Sequence, residues 1–222
     1  MGTARRGRDS LAELRGRERD ILRTLLSCQG KIFFEDPTLN LERRQAHGEH
    51  CVGYDATSGC WWKTTHPGTC GVGAEFVYED LPPFRIEAVV GRELLPSEYI
   101  DRLIVSNREF ADDIRLEGFV DTPNPSLVIS QPDIAGTPAT ADQMETEMLL
   151  LGYRTLPGLN VGKAGSISFY HRHKRIAVFD AHPGNFFHHD AMTIPIDGII
   201  MQVSSDLEHQ WLVDRLEIPG DE

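Results

Sequence analysis

The chain has 222 residues, of which 40% are hydrophobic, and this is enough to form the core of one domain or of two small ones. Its formal net charge of −12 at pH 7 disfavours a DNA- or RNA-binding protein, because so acidic a body repels a nucleic-acid backbone. No segment is apolar enough to span a membrane, and the four cysteines form no Cys-x-x-Cys pair, so we expect a cytoplasmic protein with reduced thiols.

The N-terminal residues 1–30 differ from the rest in carrying seven arginines against four acidic residues, a local charge of +3. Ser10 followed by Glu13 is typical of a helix-capping box, and apolar residues then recur at helical spacing: Leu11, Leu14, Ile21, Leu22 and Leu25. The pattern predicts an amphipathic basic helix over residues 9–27. We expect it to pack on the body of the protein or to bind a protein partner.

The next part of the chain is predicted to contain a hairpin, a helix and two strands. Apolar residues flanking a turn at Asp55–Gly59 predict a hairpin over residues 50–65, followed by a loop over 66–73. Pro96 is expected to open a helix over residues 96–111. Strands are predicted at 114–120 and 126–130, the second ended by Gln131-Pro132-Asp133.

The C-terminal part mixes short strands with helices in the same way. A helix over about residues 140–151 is ended by Gly152. After it we predict strands at 165–171 and 175–180, a loop at 181–187, a strand at 193–200 and a helix at 204–216. This order lacks the strict alternation of a parallel doubly wound sheet, so the sequence predicts an α+β fold.

The stretch with the clearest chemical content is Val178-Phe-Asp-Ala-His-Pro-Gly-Asn185, followed by Asp197 in Pro195-Ile-Asp-Gly198. Asp180 ends an apolar strand, Asn185 lies in the loop after it, and Asp197 is predicted on the next apolar strand. A strand–loop–strand arrangement is expected to bring the three side chains together at one end of the strands. Two carboxylates and a carboxamide oxygen there would suit Mg²⁺. An acid inside an apolar strand is costly to bury unless it is paired or binds a metal.

Asp-x-x-x-x-Asn followed by an apolar-flanked Asp-Gly resembles the catalytic loop and metal-binding Asp of the protein-kinase-like superfamily. The sequence Asp180-Ala-His-Pro-Gly-Asn185 is especially similar to the catalytic loops of aminoglycoside and choline phosphotransferases. From about Gly48 to Gln202, the chain is similar to the kinase domain found in polyvalent proteins of phages and conjugative elements. The resemblance implies a minimal two-lobed kinase-like fold: the N-terminal helix at 1–30, an N-terminal lobe at 31–130 and a shortened C-terminal lobe at 131–222.

The resemblance also implies roles for individual residues. Asp180 corresponds to the Asp that orients or deprotonates the acceptor hydroxyl, Asn185 to the Asn that holds a metal ion, and Asp197 to the Asp that joins the metal to the phosphates. Lys63, on the second strand of the predicted hairpin, corresponds to the lysine that grips the nucleotide phosphates. Together these residues imply ATP and Mg²⁺ as cofactors.

Other positions follow from the same resemblance. Glu98 is expected to pair with Lys63, and Glu75 and Glu109 are its rivals. The remaining expected nucleotide contacts are a single-glycine remnant of the glycine-rich loop and a hinge between the lobes: Gly48, Glu49, His50 and Val52 in the loop, and Gln131 and Asp133 in the hinge.

The implied activity is transfer of the γ-phosphate of ATP to a hydroxyl of a protein or a small molecule. The alternative is a pseudokinase or nucleotide-binding regulatory module without turnover, and transfer of AMP is a third interpretation. Val178 stands where protein kinases carry a structural His, two residues before the catalytic Asp. No Ala-Pro-Glu segment or long activation loop follows Asp197, which disfavours a protein acceptor. The nine histidines match no zinc-site arrangement.

Overall fold

The computed structural model describes residues 10–80, 82–190 and 192–216. Within these ranges the helices are α1 (Leu11–Cys28), α2 (Pro96–Phe110), α3 (Ala141–Leu150) and α4 (Asp206–Val213), with 3₁₀ turns at Pro37–Asn40 and Pro183–Asn185. The strands are β1 (Ile32–Phe33), β2 (Glu42–His47), β3 (His50–Asp55), β4 (Cys60–Thr65), β5 (Val72–Tyr78), β6 (Ile86–Glu93), β7 (Arg115–Val120), β8 (Ser126–Pro132), β9 (Thr137–Pro138), β10 (Arg154–Thr155), β11 (Ile167–His171), β12 (Ile176–Ala181), β13 (Phe186–His189), β14 (Met192–Pro195) and β15 (Ile199–Gln202).

The mixture of helices and mainly antiparallel sheets is α+β, as the sequence predicts. The chain divides into two compact units. Unit 1 comprises the described residues up to Gly71, with Leu94–Ile100 and Arg115–Ser130. Unit 2 comprises Val72–Glu93, Asp101–Ile114 and the described residues from Gln131 onward. No helix in the described ranges has the length and apolar character needed to cross a membrane.

Unit 1 is built on a six-stranded sheet with the order β1-β7-β8-β4-β3-β2. The predicted hairpin of residues 50–65 is present as β3 and β4, which pair in register from His50 opposite Thr65 to Asp55 opposite Cys60. A further strand, β2, precedes it and pairs with β3. The strand that carries Lys63 is therefore a central strand, bounded by β8 on one side and β3 on the other.

The N-terminal helix begins as predicted, with a capping box in which Ser10 and Glu13 exchange backbone and side-chain hydrogen bonds. Its buried residues are Leu22 and Leu26, one turn apart. Most of the predicted apolar stripe is exposed to solvent instead: Leu11, Leu14, Ile21 and Leu25. Arg5, Arg6 and Arg8, three of the seven arginines of residues 1–30, lie outside the described residues.

Unit 2 is organised around β12, an inner strand of the sheet β10-β11-β12-β15. Successive side chains of a strand point to opposite faces, and both faces of β12 are covered. Ala177 and Phe179 join a core cluster with the β5–β6 hairpin and Leu212 of α4. Ile176 and Val178 join a second cluster with the methionines of α3. This double burial explains the unbroken apolar run, and it fixes the position of Asp180 near the end of β12.

Several predicted boundaries are wrong. Residues 193–200 form two strands, because β14 pairs with β13 whereas β15 pairs with β12, and the chain bends between them. The predicted loop over 181–187 contains a 3₁₀ turn and the start of β13. The loop over 66–73 ends at Val72, where an unpredicted hairpin of β5 and β6 begins.

Candidate active site

Asp180 occupies a β-bulge near the end of β12. Ile167 pairs with Ala181 and Phe169 pairs with Val178, so β12 has one residue more than β11 between these pairs. The backbone of Asp180 is in the left-handed region, with φ of 56°. A bulge of this kind bends a strand and redirects a side chain away from the regular pleat.

The redirected carboxylate is held by the loop that precedes β11. The Lys163 N–H donates to Asp180 Oδ1 at 2.6 Å, and the Asp180 N–H donates to the Val161 carbonyl at 3.0 Å. Gly162, between them, has φ of 98°, and a Cβ there would overlap the Asp180 carboxylate. Residues 161–163 therefore follow the Asp180 side chain closely, and this requires glycine at position 162.

Asn185 connects to Asp180 across the 3₁₀ turn that follows β12. Its Nδ2 donates to the Asp180 carbonyl at 2.9 Å and contacts Asp180 Oδ2 at 3.4 Å. The turn itself is capped by His182, whose Nδ1 accepts the Gly184 N–H at 3.1 Å. Because the nitrogen of the Asn185 carboxamide makes both contacts with Asp180, its oxygen is the atom left to serve as a ligand.

Asp197 lies at the same end of unit 2 because of the β13–β14 hairpin. Phe186 pairs with Pro195, and the Ile196 N–H donates to the Asn185 carbonyl at 2.9 Å, so Asp197 follows the residue that faces Asn185. Contrary to the prediction, Asp197 is at a bend between β14 and β15. Its side chain is 40% exposed, which keeps the charge partly hydrated.

A buried cation accompanies Asp197. The guanidinium of Arg102, from α2, lies 3.7 Å from Asp197 Oδ1, and its side chain is 7% exposed. Arg102 also donates to the Val72 carbonyl at the start of β5. Neither contact was predicted, because nothing in the local sequence of α2 points to a partner so distant in the chain.

Asp180, Asn185 and Asp197 supply two carboxylates and one amide oxygen at one end of unit 2. These are the hard oxygen ligands that Mg²⁺ prefers, and Arg102 offsets only part of the charge of the two carboxylates. These residue types suit a divalent cation, and its binding by Asn185 and Asp197 stays a prediction. Asp180, fixed by Lys163 and Asn185, retains carboxylate oxygens that are able to accept a proton.

Lys63, in unit 1, is a buried residue of a central strand. It lies opposite Val52 on β3, and it is 9% exposed. A lone lysine on a strand is most often a hydrated charge on an edge strand, and the central, buried position of Lys63 does not match that description. A buried ammonium group is costly unless it interacts with other polar or charged groups.

The predicted glycine-loop residues form the turn between β2 and β3. Gly48, with φ of 50°, and Glu49 are the two turn residues. His50 is buried, with Nε2 2.7 Å from the Tyr99 hydroxyl and Nδ1 3.8 Å from Glu49 Oε1. A role of this turn in binding phosphate stays a prediction.

Glu98 caps α2, since its Oε2 accepts the Leu95 N–H at 2.8 Å. Its rivals have strong contacts within unit 2. Glu75 lies 3.4 Å from Arg92 Nε, and Glu109 Oε1 lies 2.5 Å from Lys174 Nζ. The pairing of Glu98 with Lys63 stays a prediction.

The predicted hinge residues lie at the end of β8, which continues through Pro132 and is not broken at Gln131 as predicted. Gln131 is buried, and its Nε2 has no hydrogen-bond partner among the described residues. Asp133 is exposed just beyond the strand. The strand extends because its backbone keeps its place in the sheet as far as the proline, which ends it.

Sequence reasoning overlooked two parts of the site, Arg102 and the loop over residues 161–163. The glycines at 158, 162 and 165 were a signal for the loop, since all three have positive φ. Compared with protein-family models, with curated proteins and with solved structures, the chain matches none.

Proposed function

We propose that this chain is a kinase-like phosphotransferase that uses ATP and Mg²⁺ and transfers the γ-phosphate to an acceptor hydroxyl. The observation that carries the proposal is the position of Asn185. Its side chain contacts Asp180, and its carbonyl accepts the Ile196 N–H next to Asp197. Asp180, Asn185 and Asp197 thus lie at one end of unit 2, and their side chains have the chemistry that phosphoryl transfer requires.

The order of elements along the chain is a second, weaker support. The hairpin whose second strand carries Lys63 is followed by the unpredicted β5–β6 hairpin, by helix α2 and by the strand pair β7 and β8. Helix α3, the bulged strand β12, the turn with Asn185 and the bend with Asp197 follow, with the short strands β9 to β11 among them. With the β5–β6 hairpin set aside, this is the order of nucleotide-binding and catalytic parts that the resemblance to protein-kinase-like proteins implies.

In the proposed reaction the acceptor oxygen forms a bond to the γ-phosphorus while the bond from that phosphorus to ADP breaks. The electron pair of the broken bond stays on ADP. Asp180 orients the acceptor hydroxyl and takes its proton, which is then released to water. When bound by Asn185 and Asp197, Mg²⁺ supplies neutralisation of phosphate charge. Lys63 is proposed to contact the nucleotide phosphates.

One observation favours a second candidate, a nucleotide-binding or regulatory module without turnover. The guanidinium of Arg102 lies 3.7 Å from Asp197 Oδ1 and competes electrostatically with a cation for that carboxylate. A chain in which this ion pair persists would bind nucleotide without consuming it.

Incubation with Mg²⁺ and ATP labelled at either the α- or the γ-phosphate tests the proposal, with small alcohols and a generic protein offered as acceptors. Transfer of the γ-label, with the α-label remaining in ADP, supports a phosphotransferase. Transfer of the α-label would instead indicate that the protein transfers AMP. If the protein binds Mg·ATP but leaves the ATP intact, the module without turnover is favoured. Asp197→Asn serves as the inactive control.

A further inference from the structure

Unit 2 contains a groove with a volume of 560 Å³, bounded by the β5–β6 hairpin and by residues 160–162. Its apolar lining consists of Val72, Val89, Val90 and Val161. Val89 and Val161 belong to the core, whereas Val72 and Val90 are 36% and 40% exposed. The groove thus continues the hydrophobic core of unit 2 to the surface, and its volume is in the range of pockets that bind small molecules.

One wall of this groove is the segment that holds Asp180. The Val161 carbonyl accepts the Asp180 N–H at 3.0 Å, and Gly162 lies directly against the Asp180 carboxylate. Asp180 is not itself a lining residue, and it contacts the lining through Val161 and Gly162. The opposite wall is connected to the metal end as well, because Arg102 contacts both the Val72 carbonyl and Asp197.

The polar groups of the lining are Asn160, Arg92 and Glu93. The charge of Arg92 is offset, since its Nε is 3.4 Å from Glu75 Oε2 and its guanidinium donates to the Glu93 carbonyl at 3.1 Å. Within the described ranges, the lining therefore offers no uncompensated cation to an anionic ligand. Among the residues that the structure describes, no aromatic side chain lines the groove to bind a quaternary ammonium group. Asn160 offers both a donor and an acceptor to an uncharged polar group.

We propose that this groove is the acceptor site and that it takes a small uncharged alcohol with an apolar body. The inference rests on the proposed phosphotransferase function and names its substrate class. The apolar body lies against the valines, and the hydroxyl faces Asp180, which takes the proton as the oxygen bonds to the γ-phosphorus and ADP leaves with the electron pair. Because the β5–β6 hairpin supplies most of the lining, it has a function in substrate recognition.

The test measures binding of named alcohols separately from binding of ATP. Benzyl alcohol and cyclohexanol are the apolar-bodied probes, and glucose and choline are the polar and the charged comparison. Ligand-observed NMR measures their affinity for the wild type, for Val90→Trp, which fills the groove, and for Glu87→Trp. Glu87 is exposed on the same strand outside the groove, so it is the matched control. Calorimetry measures Mg·ATP binding to each protein.

We expect at least one apolar-bodied probe to bind more tightly than glucose and choline. Its affinity should fall about tenfold or more in Val90→Trp and stay unchanged in Glu87→Trp, with Mg·ATP affinity equal in all three proteins. Equal affinity of the probe for Val90→Trp and Glu87→Trp, or tighter binding of glucose or choline, overturns the assignment of the groove as the acceptor site. If the wild type still binds Mg·ATP in that case, the phosphotransferase proposal stands. If the wild type does not bind Mg·ATP, both the acceptor site and the phosphotransferase proposal are overturned.

Discussion

Asp180 has a positive φ of 56°, a conformation that costs an L-residue about 1–2 kcal/mol and that Asp tolerates better than most. The surrounding contacts hold it there, through the Lys163 N–H, the Val161 carbonyl and the Asn185 amide. Conformations of this kind persist where neighbouring groups over-determine them, and they cluster at functional sites. At the scale of single residues, the proposed function therefore depends on the few contacts that position the Asp180 carboxylate.

Gly162→Ala tests this placement, with Gly165→Ala as its control. Both glycines have positive φ, so both variants carry a similar backbone penalty of about 1 kcal/mol. A Cβ at position 162 meets the Asp180 carboxylate, whereas a Cβ at position 165 meets nothing within 4 Å. We expect only Gly162→Ala to lower the single-turnover rate, by about tenfold or more, with Mg·ATP affinity retained. Equal rates in the two variants would show that Asp180 placement does not limit transfer.

Lys63→Met tests the proposed phosphate contact. Methionine keeps an unbranched apolar stem for packing in β4 and removes the ammonium group. We expect Mg·ATP affinity to fall by about tenfold or more in calorimetry, because a charge-assisted contact is lost, while the circular dichroism spectrum stays native. Lys31→Met is the control, since it removes a half-exposed lysine of the same unit. Wild-type affinity in Lys63→Met would assign Lys63 a structural role.

At the scale of elements, local signals predicted β3, β4, α2 and α3 within a few residues, because turn formers, Pro96 and capping residues act locally. The division of residues 193–200 was not predictable from its apolar run, since it depends on two different partner strands. The bulge at Asp180 likewise depends on pairing with β11. In the site, the local pattern from Asp180 to Asn185 identified residues that touch, whereas the contact of Arg102 with Asp197 depends on tertiary structure.

The cap of α3 provides an element-scale prediction. Thr140 Oγ1 accepts the Gln143 N–H and Gln143 Oε1 accepts the Thr140 N–H, while Met144 and Met148 bury the helix against the core that contains Ile176 and Val178. Thr140→Ala should lower the free energy of unfolding by about 1 kcal/mol in urea titrations. Thr137→Ala, at an exposed position before the helix, should change it much less. Equal effects would mean that the cap contributes nothing specific.

At the scale of the whole molecule, acidic side chains dominate the charge, and two histidines of unit 2 make its stability sensitive to pH. Burial lowers the pKa of His171, and nearby Lys174 lowers it further. Burial also lowers the pKa of His209, with Arg175 acting in the same direction, and His209 Nδ1 lies 2.7 Å from the Tyr170 hydroxyl. The folded state therefore favours the neutral form of both rings.

The unfolded pKa of histidine is about 6.5, so this contribution is fully present above that pH and is lost as the pH falls below it. We expect the free energy of unfolding, measured with urea, to decrease from pH 7.5 to pH 5.5. The double variant His171→Asn with His209→Gln should show a weaker decrease over the same interval. An unchanged pH dependence in the double variant would place the acid sensitivity elsewhere.

The measurement that bears most directly on the central claim is calorimetric titration with Mg·ATP, combined with single-turnover rates, for the wild type, Asp197→Asn and Asp180→Asn. Because Asp197 is assigned to the metal and Asp180 to the acceptor hydroxyl, Asp197→Asn should weaken Mg·ATP binding and abolish transfer. Asp180→Asn should retain binding and lower the rate by about 10²–10⁴-fold. Absence of Mg·ATP binding to the folded wild type, or equal binding by all three proteins, would contradict the assignment of this end of unit 2 to metal and phosphate.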